Sequence, residues 1–485
     1  NLYYYDKHGR RFVMLADFYK AEDYIARRLA IMRQISYDNK IDFSEVIDLE
    51  EENNGIQYEK IQREAINLAL SKGFLVLTGG PGTGKTTTLN AIISLYQQQG
   101  LNVMICAPTG RAAKRLSDLT GFDAKTIHRL LEVKHTSGDT LAFIHDENNL
   151  LDCDALIIDE MSMVDSCFFE AVLRAISVTC KLVLVGDSDQ LPSVGAGNVL
   201  KDIIDSGVMS VVTLKEIFRQ AQESEIVMNA HKIVNGEHID LASKDKDFFF
   251  MQRLEYGELQ DLVVELCKTR LPKAYDYSPI DDIQVLSPTR KGPAGTGELN
   301  KRLQQELNPP AAGKSEVKTP VYTFRKGDKV MQTKNDYEIL WKKYITEDKT
   351  ESGAGIFNGD IGIIIAVNKI LKTVTIDFEG RIAVYDKQML DNLELAYAIT
   401  VHKSQGSEFD VVILTVFGGF DKLYYRNLLY TAVTRAKRML IIVGSKNRVD
   451  FMIDNNKRTL RYTALKNMLM ELVEGDDSGQ QTLDI

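Results

Sequence analysis

A glycine-rich stretch, "LTGGPGTGKTTT" (77–88), carries the residue types that bind a nucleoside triphosphate. Gly79, Gly84, Lys85 and Thr86 have the spacing G-x-x-x-x-G-K-T between an apolar run and a helical pattern. Glycines let backbone N–H groups turn towards phosphate oxygens, and the N-terminus of the following helix adds a favourable dipole. We expect Lys85 to reach the β- and γ-phosphates of ATP and the Thr86 hydroxyl to bind Mg²⁺. The predicted nucleotide-binding residues of this stretch are Gly80, Pro81, Gly82, Thr83, Gly84, Lys85, Thr86 and Thr87.

A second stretch, "ALIIDEMSMVD" (155–165), supplies groups for hydrolysis. Asp159 follows an apolar run, where it can hold Mg²⁺, and Glu160 can position and deprotonate the attacking water. An Asp-Glu pair is common by itself, but this pair follows a P-loop and therefore indicates hydrolysis as well as binding. Gln190, in "LVGDSDQLPSVGAGN" (184–198), either senses the γ-phosphate or belongs to an ordinary polar turn.

Two arginines are candidates for stabilising the transition state. Arg219 lies in "LKEIFRQ" and Arg435 in "YTAVTRAKR". Most arginines are surface residues, but an ATPase whose γ-phosphate lies between two α/β blocks needs cations from the second block. The predicted catalytic residues are Lys85, Glu160, Gln190, Arg219 and Arg435.

The elements that must position these residues alternate between strands and helices. From 56 to 215, the apolar runs "FLVLTGG", "NVMICAPTG", "ALIIDE" and "KLVLVGD" each end in a polar loop and are separated by helical patterns. Such alternation predicts a parallel sheet with helices on both faces. Ligands of such sheets lie at the carboxyl ends of the strands, where these loops fall.

Two β-rich segments interrupt the alternation. "LLEVKHTSGDTLAFIHD" (130–146) has two alternating runs around a Ser-Gly-Asp turn and predicts a β-hairpin. Residues 321–395 contain short β-rich runs around glycine turns, which are typical of a small barrel. An acidic, Asn-rich run at 48–55 is interpreted as a linker. The predicted domains are 1–50, helical; 51–215, the first α/β domain with the hairpin inserted at about 130–150; 216–320 and 396–470, the two parts of a second α/β domain; 321–395, the barrel; and 471–485, an acidic flexible tail.

Composition narrows the class of protein. The 485 residues are 44% hydrophobic and 26% charged, which is typical of globular proteins with several cores. No apolar run reaches about 18 residues, so we expect no membrane span. The five cysteines lack metal-site spacing and are expected to be free thiols in a reducing cytoplasm. Because the net charge is -9, a bound polyanion must be held by local basic patches and backbone donors.

Three further stretches contain loops rich in polar or basic residues. "VMICAPTGRAAKRL" (103–116) and "IQVLSPTRKGPAGTGELNKRL" (283–303) share an apolar strand, Pro-Thr, a basic turn and a helix with Lys-Arg-Leu. This similarity arises either by chance or because the two α/β blocks are related copies, which is the interpretation we adopt. "AYAITVHKSQGSEFD" (396–410) crowds hydrogen-bonding side chains between apolar runs, as a solvated turn or a binding site does.

The order of the P-loop, "APTGRAAKRL", "IIDE", "GDSDQLPSVGAG", "IFRQ", "VHKSQGSEFD" and "YTAVTRAK" resembles the motif order of superfamily 1 helicases, specifically the RecD-like branch. The resemblance covers roughly 55–450. It implies an α/β protein with two RecA-like P-loop domains, an inserted β-hairpin in the first and an inserted SH3-like β-barrel in the second. It also implies ATP-driven movement along single-stranded DNA from 5′ to 3′, with unwinding of duplex DNA in repair or recombination.

The same resemblance assigns further contacts. Gln62, in "KIQREAI", matches the family's adenine-contacting glutamine, although a helical glutamine by itself indicates a surface residue. Within 396–410, Gly406 and Glu408 are expected near the nucleotide, and the loop is expected to link the γ-phosphate state to the grip on DNA. Residues 1–50 resemble the end of the N-terminal extension of longer RecD-like proteins, so we expect further sequence upstream.

The resemblance also implies how DNA is bound. Strand-end loops with backbone N–H groups, Thr hydroxyls and Arg or Lys side chains suit phosphates. The hairpin at 130–146 is either a wedge that parts the duplex or a plain surface hairpin. Expected partners are single-stranded DNA, forked or tailed duplex DNA, and single-strand-binding protein or repair-complex subunits. The predicted DNA-binding residues are Pro108, Thr109, Gly110, Arg111, Lys114, Thr126, His128, Ser287, Pro288, Thr289, Arg290, Thr400, His402, Lys403 and Ser404.

Two alternatives stay open. Loops that contact phosphates do not distinguish DNA from RNA, so an RNA-directed or general nucleic-acid translocase fits the same motifs. A non-unwinding, ATP-gated DNA-binding subunit of a repair complex is the other, and the intact Lys85, Glu160, Gln190 and Arg435 argue against it. A nuclease is not supported, since no further acidic cluster has metal-site spacing.

Overall fold

The protein folds as two compact units, each built around a parallel β-sheet. The units are Asn1–Gln222 with Thr459–Ile485, and Glu223–Arg458. In the part of the chain that is described, no helix is long and apolar enough to cross a membrane. The computed structural model describes residues 2–7, 10–37, 43–134, 142–242, 247–346, 349–456 and 461–477.

The elements of the first unit follow the predicted alternation of strand and helix. Its strands are β1 (Leu2–Lys7), β2 (Arg10–Leu15), β3 (Phe74–Gly79), β4 (Val103–Ala107), β5 (Ala124–Thr126), β6 (Val133–Lys134), β7 (Ala142–Phe143), β8 (Ala155–Ile158), β9 (Lys181–Gly186) and β10 (Val211–Leu214). Its helices up to residue 222 are α1 (Ala16–Gln34), α2 (Ser44–Asn54), α3 (Lys60–Ser71), α4 (Lys85–Gln98), α5 (Gly110–Thr120), α6 (Ile127–Leu131), α7 (Ser166–Ala175), α8 (Val199–Ser206) and α9 (Arg219–Gln222).

The central sheet of the first unit is parallel and buried on both faces, as predicted. Its strand order is β10-β3-β9-β8-β4-β5, with every neighbouring pair parallel. Along β3, Phe74 and Val76 pack into one apolar cluster, whereas Leu75 and Leu77 pack into another. Successive side chains of a strand point to opposite faces, so both faces are covered. This burial explains why β3 reads as a continuous apolar run.

The N-terminal part of the first unit differs from the sequence-based prediction. The prediction of helix over residues 1–50 is wrong for Leu2–Lys7 and Arg10–Leu15, which form β1 and β2 and pair antiparallel. The predicted linker at 48–55 is wrong as well, because α2 extends to Asn54 and ends at Gly55 in the left-handed conformation. Glycine tolerates this backbone conformation, and helices commonly end there. The Gly-containing run therefore marks a helix end, with its acidic residues on the helix.

The inserted hairpin of the first unit is present where it was predicted. Strands β6 and β7 pair antiparallel, with Val133 opposite Phe143. The predicted Ser-Gly-Asp turn lies outside the described residues, in the segment 135–141.

The second unit combines a parallel sheet with a larger antiparallel one. Its strands are β11 (Phe248–Gln252), β12 (Ile283–Ser287), β13 (Glu316–Lys318), β14 (Thr323–Arg325), β15 (Lys329–Gln332), β16 (Asp336–Tyr344), β17 (Thr350–Ile356), β18 (Ile361–Asn368), β19 (Thr373–Phe378), β20 (Arg381–Tyr385), β21 (Leu393–Leu395), β22 (Ala398–Thr400), β23 (Phe409–Val416) and β24 (Ala436–Gly444). Its helices are α10 (Glu225–Asn235), α11 (Tyr256–Glu265), α12 (Leu271–Tyr275), α13 (Thr296–Leu307), α14 (Arg426–Val433) and α15 (Lys446–Asp454).

The antiparallel sheet is an insertion into the parallel one. The parallel sheet has the order β11-β24-β23-β12-β22, and the antiparallel sheet has the order β17-β16-β20-β19-β18-β15-β21. The chain leaves the parallel sheet after β12 and returns in β22, which pairs beside β12 through Val285 and Ala398. The loops that follow β12 and β22 are therefore neighbours at one edge of the sheet, although about a hundred residues separate them in sequence.

The end of the chain belongs to the first unit. Helix α16 (Leu465–Asp477) packs against α1 and α8, and Leu465 and Leu469 are fully buried there. The sequence-based division, which placed 396–470 in the second α/β domain and began a flexible tail at 471, is wrong at this point. The apolar positions of α16 contribute to the same core as α1, which a boundary drawn from local composition does not reveal.

Candidate nucleotide and nucleic-acid site

The P-loop joins the buried strand β3 to helix α4. Gly82 and Gly84 have positive φ angles of 72° and 82°, which glycine adopts without strain. A Cβ atom at Gly84 would lie 2.2 Å from Cε2 of Phe218 and 2.7 Å from Nε2 of Gln62. The backbone of Phe218 also donates to the carbonyl of Gly82, with N and O 3.1 Å apart. Gly84 is therefore required by backbone conformation and by close packing.

Lys85 lies over the loop that precedes it. Its Nζ donates to the carbonyl oxygens of Gly79 and Gly80, at 2.6 and 2.7 Å. The hydroxyl of Thr83 donates to Gly80 as well, at 2.9 Å. The ammonium group is thus held beside the N-terminus of α4, where loop N–H groups and the helix dipole favour an anion.

Gln62 lies beside the P-loop. It is 1% exposed, and its Nε2 donates to Thr88 Oγ1 at 3.1 Å and to the Gly84 carbonyl at 3.4 Å. Its Oε1 accepts from the backbone N–H of Glu59, which caps α3. The amide therefore connects the start of α3 to the start of α4. A contact with adenine stays a prediction, and it requires these bonds to be exchanged.

Asp159 follows the buried strand β8. Its Oδ1 accepts from the N–H of Glu160 at 2.8 Å. Burial and the neighbouring Glu160 carboxylate raise the pKa of Asp159 to about 6, and the charges of Arg115 and Lys85 oppose this rise. The influence of Lys85 indicates that the charge of the P-loop lysine acts on this carboxylate. Thr86 and Asp159 offer a hydroxyl and a carboxylate oxygen, the ligand types that Mg²⁺ prefers.

Glu160 has a strained backbone. Its φ and ψ angles are 54° and 39°, in the left-handed region that residues with a Cβ rarely adopt. Its Oε1 lies 3.7 Å from Nη1 of Arg115 on α5. Such strain persists only where the surroundings enforce it, and it is concentrated at functional sites. Arg115 was not among the predicted residues, although its helix carries the basic residues Arg111 and Lys114 that were.

The loop after β9 folds on itself around Asp187. This carboxylate accepts from the N–H of Asp189 at 3.0 Å and from Nε2 of Gln190 at 3.3 Å. Arg219 starts α9, directly after the residue that packs on Gly84. Gln190 and Arg219 both lie in the first unit, so the predicted boundary after 215, which assigned Arg219 to the second α/β domain, is wrong. The reason is that the neighbouring Phe218 contacts the P-loop. Sequence reasoning missed Phe218, for which the neighbouring Arg219 was the available signal.

The predicted strand contacts of the first unit lie on two adjacent loops. Strands β4 and β5 are parallel neighbours, with Ala107 opposite Thr126, so the loops that follow them meet at one edge. Thr109 caps α5 by accepting from the N–H of Ala112 at 3.2 Å. Thr126 caps α6 by accepting from the N–H of Arg129, also at 3.2 Å. Both hydroxyls keep a proton that they can donate.

His128 lies within an aromatic cluster. Its ring centroid is 4.3 Å from that of Phe168 and 6.3 Å from that of Phe143. Burial lowers the pKa of His128 to about 4, so the ring is neutral at neutral pH. It can exchange hydrogen bonds with a nucleic acid, but it does not supply a cation to a phosphate.

The second unit repeats this arrangement. The loops after β12 and β22 begin at Ser287 and Thr400, which are opposite each other across the two strands. Thr400 caps the following turn by accepting from the N–H of Lys403 at 3.4 Å. The sequence at this edge, T-V-H-K, parallels T-I-H-R (126–129) of the first unit. In both units a loop containing Pro-Thr lies beside a loop that begins with a capping threonine.

Two predicted strand contacts of the second unit are wrong as side-chain contacts. Ser287 and Ser404 are both 0% exposed. The hydroxyl of Ser287 donates to the Ala294 carbonyl at 2.8 Å, and that of Ser404 donates to the Val401 carbonyl at 2.8 Å. Both serines therefore shape their loops and do not present a hydroxyl to a ligand.

The basic residues of the second unit's loops are more accessible. The side chain of Arg290 is 63% exposed, and its Nη2 lies 2.6 Å from Oε1 of Glu394. His402 is exposed, and Lys403 is half-buried and donates to Asn358, in the turn between β17 and β18. Exposed ion pairs contribute little stability, so a phosphate can compete for Arg290.

Arg435 connects the predicted nucleotide-side residues of the second unit. It is 2% exposed, and its guanidinium donates to the carbonyls of Thr431 and Ser407, each at 3.1 Å. Ser407 lies between Gly406 and Glu408, so the structure brings these three predicted residues together. Gly406 has a φ angle of 70°, a conformation that glycine adopts without strain, which explains why a glycine lies here.

The two parallel sheets and the P-loop define a protein of the RecA-like fold. Family models match residues 57–248 as an AAA domain, 299–378 as an "ATP-dependent RecD-like DNA helicase SH3 domain" and 395–443 as a "UvrD-like helicase C-terminal domain". The RecD subunit of the RecBCD enzyme of Mycolicibacterium smegmatis is 31% identical over 84% of this chain and 74% of its own length. The chain belongs to the RecD-like family of superfamily 1 helicases. The predicted family and fold class are confirmed.

The chain is also similar to a longer protein and to a more distantly related crystal structure. The ATP-dependent RecD2 DNA helicase of Deinococcus radiodurans is 36% identical over 81% of this chain, which spans 49% of that protein's length. A crystal structure of the Pif1 helicase from Bacteroides, in complex with ADP-AlF3 and single-stranded DNA, has 22% identity and a TM-score of 0.48 over 82% of this chain and 94% of that one. The chain thus spans about half the length of one of its curated relatives.

Proposed function

We propose that this chain is an ATP-driven motor that moves 5′ to 3′ along single-stranded DNA and unwinds duplex DNA. Lys85 binds the β- and γ-phosphates, and Glu160 positions and deprotonates the attacking water. Gln190 responds to the γ-phosphate. Arg219 and Arg435 stabilise the charge that develops in the transition state.

The observation that carries this proposal is the repeated strand-end arrangement of the two units. Each unit places a Pro-Thr loop beside a loop that starts with a capping threonine and continues with His and a basic residue. Backbone N–H groups, threonine hydroxyls and basic side chains at such edges suit phosphates. Two equivalent grips on one strand are what a translocating motor needs, because a conformational change driven by ATP can then move one grip relative to the other.

The nucleotide is ATP with Mg²⁺. Thr86 and Asp159 supply the protein ligands of the metal, which neutralises phosphate charge during transfer. Among the described residues no three His, Cys, Asp or Glu side chains form a metal cluster. Mg²⁺ bound with ATP needs no such cluster, since phosphates and water complete its coordination.

The loop 401–408 couples the two activities. Its basic end carries the strand candidates His402 and Lys403, and its other end holds Gly406 and Glu408 near the nucleotide. Arg435 donates to the Ser407 carbonyl at 3.1 Å. A change in the contacts of Arg435 is therefore transmitted to the loop that grips the strand.

Unwinding assays test the proposal. Partial duplexes of DNA or RNA with 5′ or 3′ single-stranded tails are incubated with ATP and Mg²⁺, with and without single-strand-binding protein. We expect unwinding only of DNA with a 5′ tail. Unwinding from a 3′ tail would contradict the polarity, and efficient unwinding of RNA would favour the RNA-directed alternative. DNA-stimulated ATP hydrolysis without unwinding of any substrate would favour a non-unwinding subunit of a repair complex.

Lys85→Ala tests the nucleotide site. We expect it to abolish ATP hydrolysis and unwinding while single-stranded DNA binding persists. Lys72→Ala is the matched control, because Lys72 lies at the opposite end of β3 and donates to Ser36 Oγ at 3.3 Å. Retained hydrolysis in the Lys85 variant would contradict the assignment.

The hairpin β6–β7 is proposed as the wedge. Replacement of 135–141, which lie outside the described residues, by a short glycine linker should lower unwinding and spare DNA-stimulated ATP hydrolysis. Equal loss of both activities would contradict a wedge role.

A further inference from the structure

The C-terminal segment that precedes α16 holds the loop that follows Gln190. The guanidinium of Arg461 donates to the carbonyls of Gly195 and Gly197, at 2.6 and 2.7 Å, and to the Ser193 hydroxyl at 3.2 Å. It also donates to the Ser193 carbonyl. One side chain thus contacts three backbone carbonyls of a five-residue loop, 193–197.

The opposite side of the 193–197 loop is packed against the start of α7. The N–H of Ser166 donates to the carbonyl of Ala196, with N and O 3.0 Å apart. A Cβ atom at Gly195 would lie 2.2 Å from Oδ2 of Asp165, and one at Gly197 would lie 1.9 Å from Oγ of Ser166. Any larger residue at either glycine would push the loop away from α7. The loop is therefore confined between Arg461 and α7.

A buried carboxylate connects the same elements a second time. Glu22 of α1 is 1% exposed, and its Oε2 accepts from the N–H groups of Ala464 and Leu465, at 2.7 and 3.1 Å. Its Oε1 accepts from the hydroxyl of Ser166 at 3.3 Å. Glu22 thus fixes the N-terminus of α16 to the residue on which the loop packs. The segment 461–465 is attached at two points, and both adjoin the 193–197 loop.

The position of this attachment in the chain matters for catalysis. The 193–197 loop begins three residues after Gln190, and Asp165 is five residues after Glu160. The second unit ends at Arg458, and Arg461 is three residues further along the chain. Arg461 therefore contacts the loop that follows the proposed γ-phosphate sensor.

We propose that Arg461 is a positioning residue for ATP hydrolysis, which acts by holding the 193–197 loop and thereby the placement of Gln190. This rests on the proposed role of Gln190. Arginine suits the task because its planar group presents five donors in fixed directions, so it can bind several converging carbonyls at once. A lysine at 461 keeps the charge but lacks this geometry.

Arg461→Lys and Arg461→Gln test the proposal. We expect kcat of DNA-stimulated ATP hydrolysis to fall about tenfold or more in both, because small displacements of catalytic groups are costly. KM for ATP should change less than about twofold, since the P-loop is untouched. The matched control is Leu469→Ala, which opens a cavity under α16 and leaves the loop contacts in place. It should lower the melting temperature at least as much as the Arg461 variants and keep wild-type kcat.

Two outcomes would overturn the proposal. One is that kcat falls in proportion to lost stability in Leu469→Ala and in the Arg461 variants alike. The segment 461–465 would then have only a structural role. If Arg461→Gln lowers kcat by the same factor in wild type and in Gln190→Ala, Arg461 does not act through Gln190. Wild-type hydrolysis by Gln190→Ala alone would instead overturn the proposed role of Gln190.

Discussion

The titration of His128 should contribute a loss of stability to the first unit on mild acidification. In the folded protein its pKa is lowered by burial to about 4, against about 6.5 in the unfolded chain. The unfolded state therefore binds the proton more readily. The stability associated with neutral His128 is fully present above about pH 6.5 and is lost as the pH falls towards 4.

The size of the effect follows from the two pKa values. At pH 5 the unfolded histidine is almost fully protonated, whereas the folded one is still about nine-tenths neutral. The linkage relation then gives a loss of about 2 kcal/mol in the free energy of unfolding between pH 7.5 and pH 5. This is a large share of the roughly 5–15 kcal/mol that stabilises a typical domain.

His128→Phe isolates this contribution, because an aromatic ring at 128 still packs on Phe168. Asp159 and Asp202 titrate in the same pH range in the opposite direction, and they do so in both proteins, so their effects cancel in the comparison. The free energy of unfolding is measured by hydrogen exchange of peptides from β8 and β9 in urea, at both pH values. Fluorescence of Trp341, the chain's one tryptophan, follows the second unit as a control.

We expect the wild type to lose about 2 kcal/mol more than His128→Phe on going from pH 7.5 to pH 5. Equal losses in the two proteins would show that His128 is solvated and titrates normally. In that case the ring could be charged when it meets a nucleic acid, and the assignment of a neutral donor or acceptor would have to be abandoned.

Substitutions at three further sites, with Gly55→Ala as a control, test the backbone and the buried carboxylates. Gly84→Ala should abolish ATP binding, measured with a fluorescent analogue, because its Cβ would overlap the Phe218 ring. Gly55→Ala is the control, since Gly55 also has a positive φ but no described atom lies within 4 Å of its Cβ position. It should lower the free energy of unfolding by only about 1 kcal/mol and bind ATP normally. Glu160→Gly and Glu160→Gln should both lose hydrolysis, but urea unfolding should find the Gly variant about 1 kcal/mol more stable because it relieves the left-handed strain. Burial raises the pKa of Asp202 to about 7, so the wild-type protein loses stability as the pH rises through 7. Between pH 6 and 8.5 the melting temperature of Asp202→Asn should therefore fall less than that of the wild type.

The sequence predicted the features whose signal is local. The P-loop, the apolar run before Asp159 and the alternating arms of the hairpin each depend on residue types within a few positions of one another. The sheet order and the pairing of Ser287 with Thr400 needed the structure, because strand neighbours are set by tertiary packing. The repeated Pro-Thr loops pointed to related blocks, and the structure adds the matching T-I-H-R and T-V-H-K edges.

The wrong predictions share a physical cause, which is that residue type does not reveal the partner. The hydroxyls of Ser287 and Ser404 looked suited to phosphate, but both donate to nearby carbonyls inside their own loops. The acidic run at 48–55 looked like a linker, but its carboxylates lie on a helix, where Glu51 pairs with Arg63 at 2.8 Å. Serine and glutamate serve equally well in turns, caps and binding sites, so sequence alone leaves these choices open.

Arg461 could not be found from its own neighbourhood. Its acceptors are backbone carbonyls 264 to 268 residues away, and a carbonyl leaves no trace in the sequence because every residue has one. The available sequence signal was in the loop that Arg461 contacts, where Gly195 and Gly197 look like ordinary turn glycines. Their Cβ positions are filled by Asp165 and Ser166, so both are glycine because the loop is clamped. The glycines of a loop next to a catalytic motif can therefore indicate that other residues pack closely on it, and here these are Arg461 on one side and Asp165 and Ser166 on the other.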